Sequence, residues 1–150
     1  MSIAVAHQHV SQTRALALKE AAHEARRRNT NLAVLHVVES LDNDIADAYR
    51  RGISGEVEDL LERESLQDLK WDLYLSTGVQ DVAETVLEQT TKVGAEVLVI
   101  GARRRSPVGK FILGSVTQTI ILEADVPVIV VKIGPPAESK WTFAHFVTLV

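Results

Sequence analysis

Five short runs of aliphatic and β-branched residues recur along the chain, and they constrain its fold more than any other feature. The runs are IAVA (3–6), LAVLHVV (32–38), WDLYL (71–75), VLVIG (97–101) and VIVVK (128–132). Apart from WDLYL they are almost continuously apolar, as parallel strands are when both faces of their sheet are covered. We therefore expect five mostly buried parallel strands.

Helical patterns separate the first three runs. Ser11 is suited to cap a first helix that ends at the arginines 26–28, which suit the negative C-terminal pole of a helix. Residues 43–67 predict a polar helical region that is interrupted around 52–55, where two glycines lie. The apolar stripe of the first helix is predicted to be Ala15, Leu18, Ala22 and Ala25.

Two further helices are expected between the later runs. Asp81 and Glu84 have the spacing of a capping box, and Gly94 should end the helix that they begin. A last helix should begin near Ser115, before Pro127 opens the final strand. Five strands that alternate with four helical regions predict an α/β fold with right-handed crossovers, although periodicity does not give the strand order.

Composition narrows the class of protein. A chain of 150 residues with 46% hydrophobic residues is long enough to bury one core. The net charge of -4 makes nucleic acid a poor partner, and the absence of cysteine excludes disulfides and thiol chemistry. No apolar run approaches the ~18 residues of a membrane span, and the N-terminus does not resemble a signal peptide. We expect a soluble cytoplasmic protein with no membrane partner.

The C-terminal residues are set apart by a break at Gly134-Pro135-Pro136. It predicts a domain over residues 1–133 and a tail over residues 134–150. The tail ends in AESKWTFAHFVTLV, which is more apolar than an ordinary solvated tail. It packs on the domain, pairs with another chain or is a cloning remnant, and the sequence leaves these three open.

The stretch IGARRRSPVGKFILGSVTQ (100–118) carries the clearest chemical signal. Its arginines supply positive charge, and Gly114-Ser115 begins a predicted helix whose free N–H groups and dipole favour an anion. Gly101 would permit a tight exit from its strand, and Thr117 adds a second hydroxyl beside that of Ser115. The arrangement predicts a phosphate between a loop and a helix N-terminus; the arginines are Arg103, Arg104 and Arg105.

Each of these residues also has an ordinary structural interpretation. Ser115 is equally an N-cap, Gly101 and Gly114 are equally turn glycines, and exposed arginines are usually solvated. A P-loop does not fit, because Gly109-Lys110 is followed by Phe111 instead of Ser or Thr. No GxGxxG pattern follows the first strand, so a dinucleotide fingerprint is also missing.

The spacing closely resembles the signature of the universal stress protein family. In that signature a glycine is followed after two residues by a second glycine, and after nine more by Gly and Ser or Thr. The corresponding positions are Gly101, Arg104, Gly114 and Ser115. The flanking segments VLVIGAR, LGSVTQTIILEADVPVIVVK and LAVLHVVE are similar too, and the resemblance covers roughly residues 1–133.

The resemblance implies a Rossmann-like, adenine-nucleotide alpha hydrolase-like fold. Its five-stranded parallel sheet is ordered 3-2-1-4-5, has helices on both faces, and carries a cleft between strands one and four. ATP, with Mg²⁺, is the implied ligand; its phosphates and ribose would lie against residues 101–107 and 114–117, and its adenine near Val37. The implied nucleotide-binding residues are Val37, Gly101, Ala102, Arg103, Arg104, Arg105, Ser106, Pro107, Gly114, Ser115, Val116 and Thr117.

Two residues depart from the nucleotide-binding pattern. Arg104 replaces the second glycine, and its side chain either reaches a phosphate or fills the space of the sugar. Nucleotide-binding members carry an aspartate in the loop after the first strand. Counting back from the first helix, His9 lies at that place; it can share one hydrogen bond with a nucleotide but lacks the fixed negative charge.

The resemblance also implies a homodimer through the last strand, 128–132, and a role in stress survival and regulation. Three functions follow as hypotheses: a regulatory adenine-nucleotide binder, an interaction module that has lost the nucleotide and whose protein partners are unknown, and a slow ATPase or phosphotransferase. For the third, bound ATP could phosphorylate Ser115 or Thr117. We expect no catalytic residue, because the sequence offers no positioned base or carboxylate pair.

The histidines give a weaker signal. His7 and His9 lie two residues apart at a predicted strand end, but a zinc site needs three or four ligands and the spacing suggests no third. We therefore expect hydrogen-bonding histidines and no metal. His36, inside an apolar strand, is expected to contact backbone or a neighbouring helix.

Overall fold

The predicted strands and helices all occur in the computed structural model, which describes residues 1–7, 13–78, 80–103, 114–133 and 145–149. The strands are β1 (Ser2–Ala6), β2 (Asn31–Val38), β3 (Trp71–Thr77), β4 (Ala95–Arg103), β5 (Val128–Ile133) and β6 (His145–Leu149). The helices are α1 (Thr13–Arg27), α2 (Asn43–Arg63), α3 (Val82–Lys92) and α4 (Ser115–Glu123). In these ranges no helix is long and apolar enough to cross a membrane.

The strands form one sheet in the order β3-β2-β1-β4-β5-β6. The first five are parallel, which confirms the 3-2-1-4-5 order. The sixth strand comes from the predicted tail and pairs antiparallel with β5, from Val128 opposite Leu149 to Lys132 opposite His145. Residues 145–149 of the predicted tail therefore pair with a strand of their own chain.

The side chains of each inner strand alternate between two helical layers. In β1, Ile3 and Val5 pack in a cluster with α1 and α2, whereas Ala4 and Ala6 pack in a second cluster with α3 and α4. The helices therefore cover both faces of the sheet, as expected. This two-sided cover explains why the strand sequences are continuously apolar.

Helix α2 corrects one expectation, because it runs without interruption through residues 52–55. Ile53 and Val57, on the same face, are 4% and 0% exposed. Burial of such side chains contributes about 1.5–3 kcal/mol each. This exceeds the cost of about 1 kcal/mol for a helical glycine relative to alanine.

Local sequence signals predicted the ends of α3 correctly and the buried face of α1 only in part. The Asp81 carboxylate accepts a hydrogen bond from the Glu84 N–H at 3.0 Å, and Gly94, with φ of 63°, follows the end of α3 as predicted. The stripe of α1 is partly wrong: Leu18, Ala22 and Ala25 are buried, whereas the predicted Ala15 is exposed. Ala17 and Ala21 complete the buried face of α1 instead.

Candidate functional site

The direction in which successive strands are added to the sheet reverses between β1 and β4. From β1 the chain adds β2 and β3 on one side, and β4 leads to β5 on the other. Parallel α/β sheets bind ligands outside the carboxyl ends of the strands at such a switch point. Here β4 extends well past β1: the last β1 pairing joins Val5 to Val99, whereas β4 continues to Arg103, opposite Ile133 of β5.

The structure corrects the expectation that the chain leaves the sheet at Gly101. Gly101 lies within β4 and pairs with Val131, and the strand includes Ala102 and Arg103. The exit is later because β5 supplies pairing partners to the end of Arg103. Gly101 lies on the same face as Val99, beyond the end of β1. As a glycine it places no side chain on that face, which is the face of the α1 and α2 layer.

Helix α4 begins at the expected place, but Ser115 is not its N-cap. Gly114 is the N-cap, with φ of -68° and ψ of 162°, and it gives no side-chain cap to the helix. The N–H groups of residues 115–117 have no acceptor within the helix, because its first turn has no preceding carbonyls. Ser115 is exposed and Thr117 is buried, so the Ser115 hydroxyl is the more accessible of the two.

Val37, for which the resemblance implies an adenine contact, lies near the end of β2. Ala6, the last residue of β1, pairs with Leu35, so Val37 continues β2 beyond the end of β1. Its half-buried side chain packs with the α3 and α4 layer, as does that of Val116. Both therefore lie on the face of the sheet where α4 begins.

Several predicted site residues lie outside the described residues: His9, Arg104, Arg105, Ser106 and Pro107. Arg103 is described as part of β4. The described part of the site is therefore the end of β4, the start of α4 and Val37 on β2.

Sequence reasoning missed a contact between two buried histidines that lie near the carboxyl ends of β1 and β2. His7 directly follows β1, His36 lies on β2, and they are 6% and 3% exposed. Their Nδ1 atoms are 3.0 Å apart, and their rings meet edge to face with centroids 5.0 Å apart. We call His7 and His36 the histidine pair.

Helix α2 and the backbone of His7 hold the histidine pair. His7 Nε2 lies 3.2 Å from Oε2 of Glu56, and the ring of Tyr49 lies 5.3 Å from that of His36. His36 Nδ1 is 2.9 Å from the backbone oxygen of His7. The expectation that His36 contacts backbone or a neighbouring helix is thus confirmed on both counts. A histidine directly after one apolar strand and another within the next strand were the available signal.

A cleft of about 230 Å³ lies elsewhere, between the C-terminal ends of α3 and α4 next to the start of β5. The cleft lies at the amino-terminal end of the parallel strands, whereas the switch point lies at their carboxyl end. Its lining includes Glu88, Glu123 and Asp125. Three carboxylates around one cleft repel phosphate, so the cleft is not the predicted anion site.

Comparisons with known proteins agree with this geometry. Residues 1–132 match the family model of the universal stress protein family. A universal stress protein of Mycolicibacterium smegmatis is 40% identical over 121 residues, which are 77% of this chain and 86% of that protein.

Two solved structures from Archaeoglobus fulgidus are also similar. A universal stress protein has a TM-score of 0.71 and 28% identity, over 87% of this chain and 97% of that chain. A universal stress protein in complex with dAMP has a TM-score of 0.65 and 25% identity, over 87% and 96% of the two chains. Together, the family model, the relative and the sheet order show that this chain belongs to the universal stress protein family.

Proposed function

We propose that this chain is a cytoplasmic stress-response regulator that binds ATP or a related adenine nucleotide at the switch point between β1 and β4. The observation that carries the proposal is the start of α4, where Gly114 leaves the N-terminus of the helix without a side-chain cap beside the carboxyl ends of the strands. The similar protein in complex with dAMP supports an adenine nucleotide as the ligand.

In this proposal the phosphates accept hydrogen bonds from the N–H groups of residues 115–117 and from the Ser115 hydroxyl. Arginines 103–105 add positive charge, and the adenine lies along the backbone of Val37. Mg²⁺ would enter with ATP, bound through the phosphate oxygens. Among the described residues no group of three or more His, Cys, Asp or Glu could hold a metal ion.

We further propose that the bound nucleotide is a regulatory ligand with little or no turnover. The chain would act as a homodimer through residues 128–132, with a domain over 1–133 and a tail over 134–150. The pairing of β6 with β5 bears on the dimer, because both contacts use the same strand edge.

Calorimetric titration with ATP and Mg²⁺ tests the proposal, with AMP and GTP as controls. The sharpest variants are Gly114→Asp and Gly114→Asn. Both side chains cap a helix well, and the backbone of Gly114 has a negative φ that either residue adopts. The Asp variant adds a negative charge where the phosphates would lie. Its affinity for ATP should therefore be at least about tenfold lower than that of the Asn variant. Equal affinities would contradict a phosphate at the start of α4.

Substitution of Arg104 with Gly separates the first two hypotheses. Weaker ATP binding means that the arginine contacts a phosphate, and stronger binding means that it fills the space of the sugar. Absence of binding at millimolar ATP in the parent chain and in Arg104→Gly would refute the nucleotide proposal. It would leave the interaction module as the hypothesis to test.

A further inference from the structure

The described contacts of the histidine pair fit one arrangement of protons in its neutral state. His36 Nδ1 lies 2.9 Å from the backbone oxygen of His7, and a carbonyl oxygen accepts, so this nitrogen carries a hydrogen. His7 Nδ1, 3.0 Å from the same nitrogen, must then be the acceptor. The hydrogen of neutral His7 is therefore on Nε2, which donates to Glu56 at 3.2 Å.

A second proton does not fit this arrangement. Protonated histidine carries hydrogen on both ring nitrogens, so a proton on His7 Nδ1 would point at the N–H of His36. Two donors at 3.0 Å repel each other, and the contact must open. Glu56, whose side chain is 43% exposed, lies 3.2 Å from His7 Nε2 and would then pair with the charged ring. Among the described contacts, the titratable groups of α2 that face the pair include Glu56 and Tyr49.

The contact fixes the end of β1 at the proposed nucleotide site. The His7 N–H donates to the oxygen of Leu35 at 2.7 Å, and the His7 oxygen accepts from the His36 ring. Both backbone groups of His7 are therefore bonded to β2. His36 directly precedes Val37, so opening the pair would release the end of β1 beside the residue where we propose that the adenine lies.

We infer that the histidine pair shares one proton to hold the end of β1 in place, that protonation of His7 opens it, and that nucleotide binding is therefore coupled to release of a proton. This inference rests on the proposed function, because it concerns the same site. His7 and His36 are positioning residues in it.

The sign of the coupling follows from geometry and charge. A cationic His7 would also attract phosphate, but Glu56 at 3.2 Å offsets most of its charge. The pair contacts α2 on one face of the sheet, whereas α4 begins on the other. Loss of the fixed strand end therefore outweighs the added attraction, and affinity should fall at acid pH.

The test compares ATP affinity at pH 8 and pH 5.5 in the parent chain and in His7→Asn. The asparagine oxygen can accept from His36 but takes up no proton, so the ATP affinity of this variant should change less between the two pH values than that of the parent. ATP itself titrates in this range, so the measured quantity is the difference between the two proteins. Histidine is the side chain that ordinarily changes charge between about pH 5 and pH 8, so the parent should lose about tenfold in affinity relative to His7→Asn at pH 5.5.

Two more variants separate positioning from general damage. His7→Leu removes the acceptor and should bind weakly at both pH values. His23→Asn makes the same change in another histidine–carboxylate contact, His23 to Glu64 at 2.8 Å on α1, and should follow the parent. Parallel profiles for the parent and His7→Asn, or a relative gain in affinity of the parent at acid pH, would overturn the inference.

A readout without nucleotide distinguishes failure of this inference from failure of the proposed function. Nitrogen-15 spectra of the histidine rings at pH 8 should show His36 protonated on Nδ1 and His7 protonated on Nε2. As the pH falls, His7 should gain its second proton together with loss of the protected His36 N–H. Absence of ATP binding with these spectra would refute only the proposed function, whereas a His7 ring protonated on Nδ1 at pH 8 would refute the pair as inferred.

Discussion

Glu24 shows how one carboxylate organises the end of α1. Its side chain is 14% exposed and accepts hydrogen bonds of 2.6 Å from Arg27 and from Arg28. Partial burial acts to raise the pKa of Glu24, but the hydrogen bonds and charges of Arg28 and Arg27 outweigh it and lower the pKa. The arginines thereby keep an ionised partner at the C-terminal end of the helix, where cations are favoured.

Substitution of Glu24 with Gln should lower the free energy of unfolding by about 0.5–1 kcal/mol at pH 7, because both arginines are well exposed and such pairs are screened. A pKa below the ordinary 4.5 stabilises the folded state above that value, and the contribution disappears as pH falls through the folded pKa. Urea unfolding should therefore show a difference in the free energy of unfolding between the parent and Glu24→Gln at pH 7, and this difference should disappear at about pH 3.

The control for this measurement is Glu58→Gln, an exposed residue of α2. Its free energy of unfolding should stay close to that of the parent at both pH values. A loss in Glu24→Gln that persists at about pH 3 would mean that packing, and not charge, accounts for the role of Glu24.

The histidine pair marks the limit of prediction at this scale. A histidine in an apolar strand must find a polar contact, so the environment of His36 was predictable. Its partners were not, because Glu56 is 49 residues from His7 and meets it through the packing of α2 on the sheet. No local pattern encodes such a distance.

Helix α2 shows where packing overrides a local signal. Its glycines, Gly52 and Gly55, are both exposed, and a Cβ added at either would meet nothing within 4 Å. Neither has a positive φ, so no strained backbone requires glycine there. The helix passes through them because Ile53 and Val57 anchor it from the buried side.

Substitution of both glycines with alanine should therefore stabilise the protein. Alanine restricts the unfolded chain and favours the helix, which gives about 0.5–1 kcal/mol for each site. Chemical denaturation should show a higher midpoint with an unchanged slope. Gly94→Ala is the matched control: its φ of 63° is unfavourable for alanine, so that variant should lose stability. A loss in the double alanine variant would show that α2 needs its glycines for another reason.

Prediction at the level of elements succeeded where the cause was local. The Asp81 cap and the Gly94 stop are set by neighbours a few residues away, and both were predicted. The end of β4 was predicted two residues early, because its length depends on pairing with β5, which is distant in sequence. Gly101 was expected to end the strand because glycine is common in turns. Its pairing with β5 keeps it in the strand instead.

At the scale of the whole molecule, the sheet order came from the family resemblance, since the apolar pattern of a strand does not name its neighbours. The sixth strand was left open because an apolar tail after a Gly-Pro-Pro break has several possible partners. β6 pairs with residues 128–132, the same five residues predicted to form the dimer. One strand edge holds one partner, so the tail and a second copy should compete for β5.

Prolines at Val147 and Thr148 test this competition. Neighbouring residues of a strand direct their N–H groups to opposite sides, so one of the two faces β5, and proline removes it. The double proline variant should release β6 and strengthen dimerisation at least tenfold, measured by sedimentation equilibrium. The double alanine variant at the same positions keeps both N–H groups and should behave as the parent. An unchanged dissociation constant would show that β6 does not compete with a second copy, and a weaker dimer would show that β6 is itself part of the dimer contact.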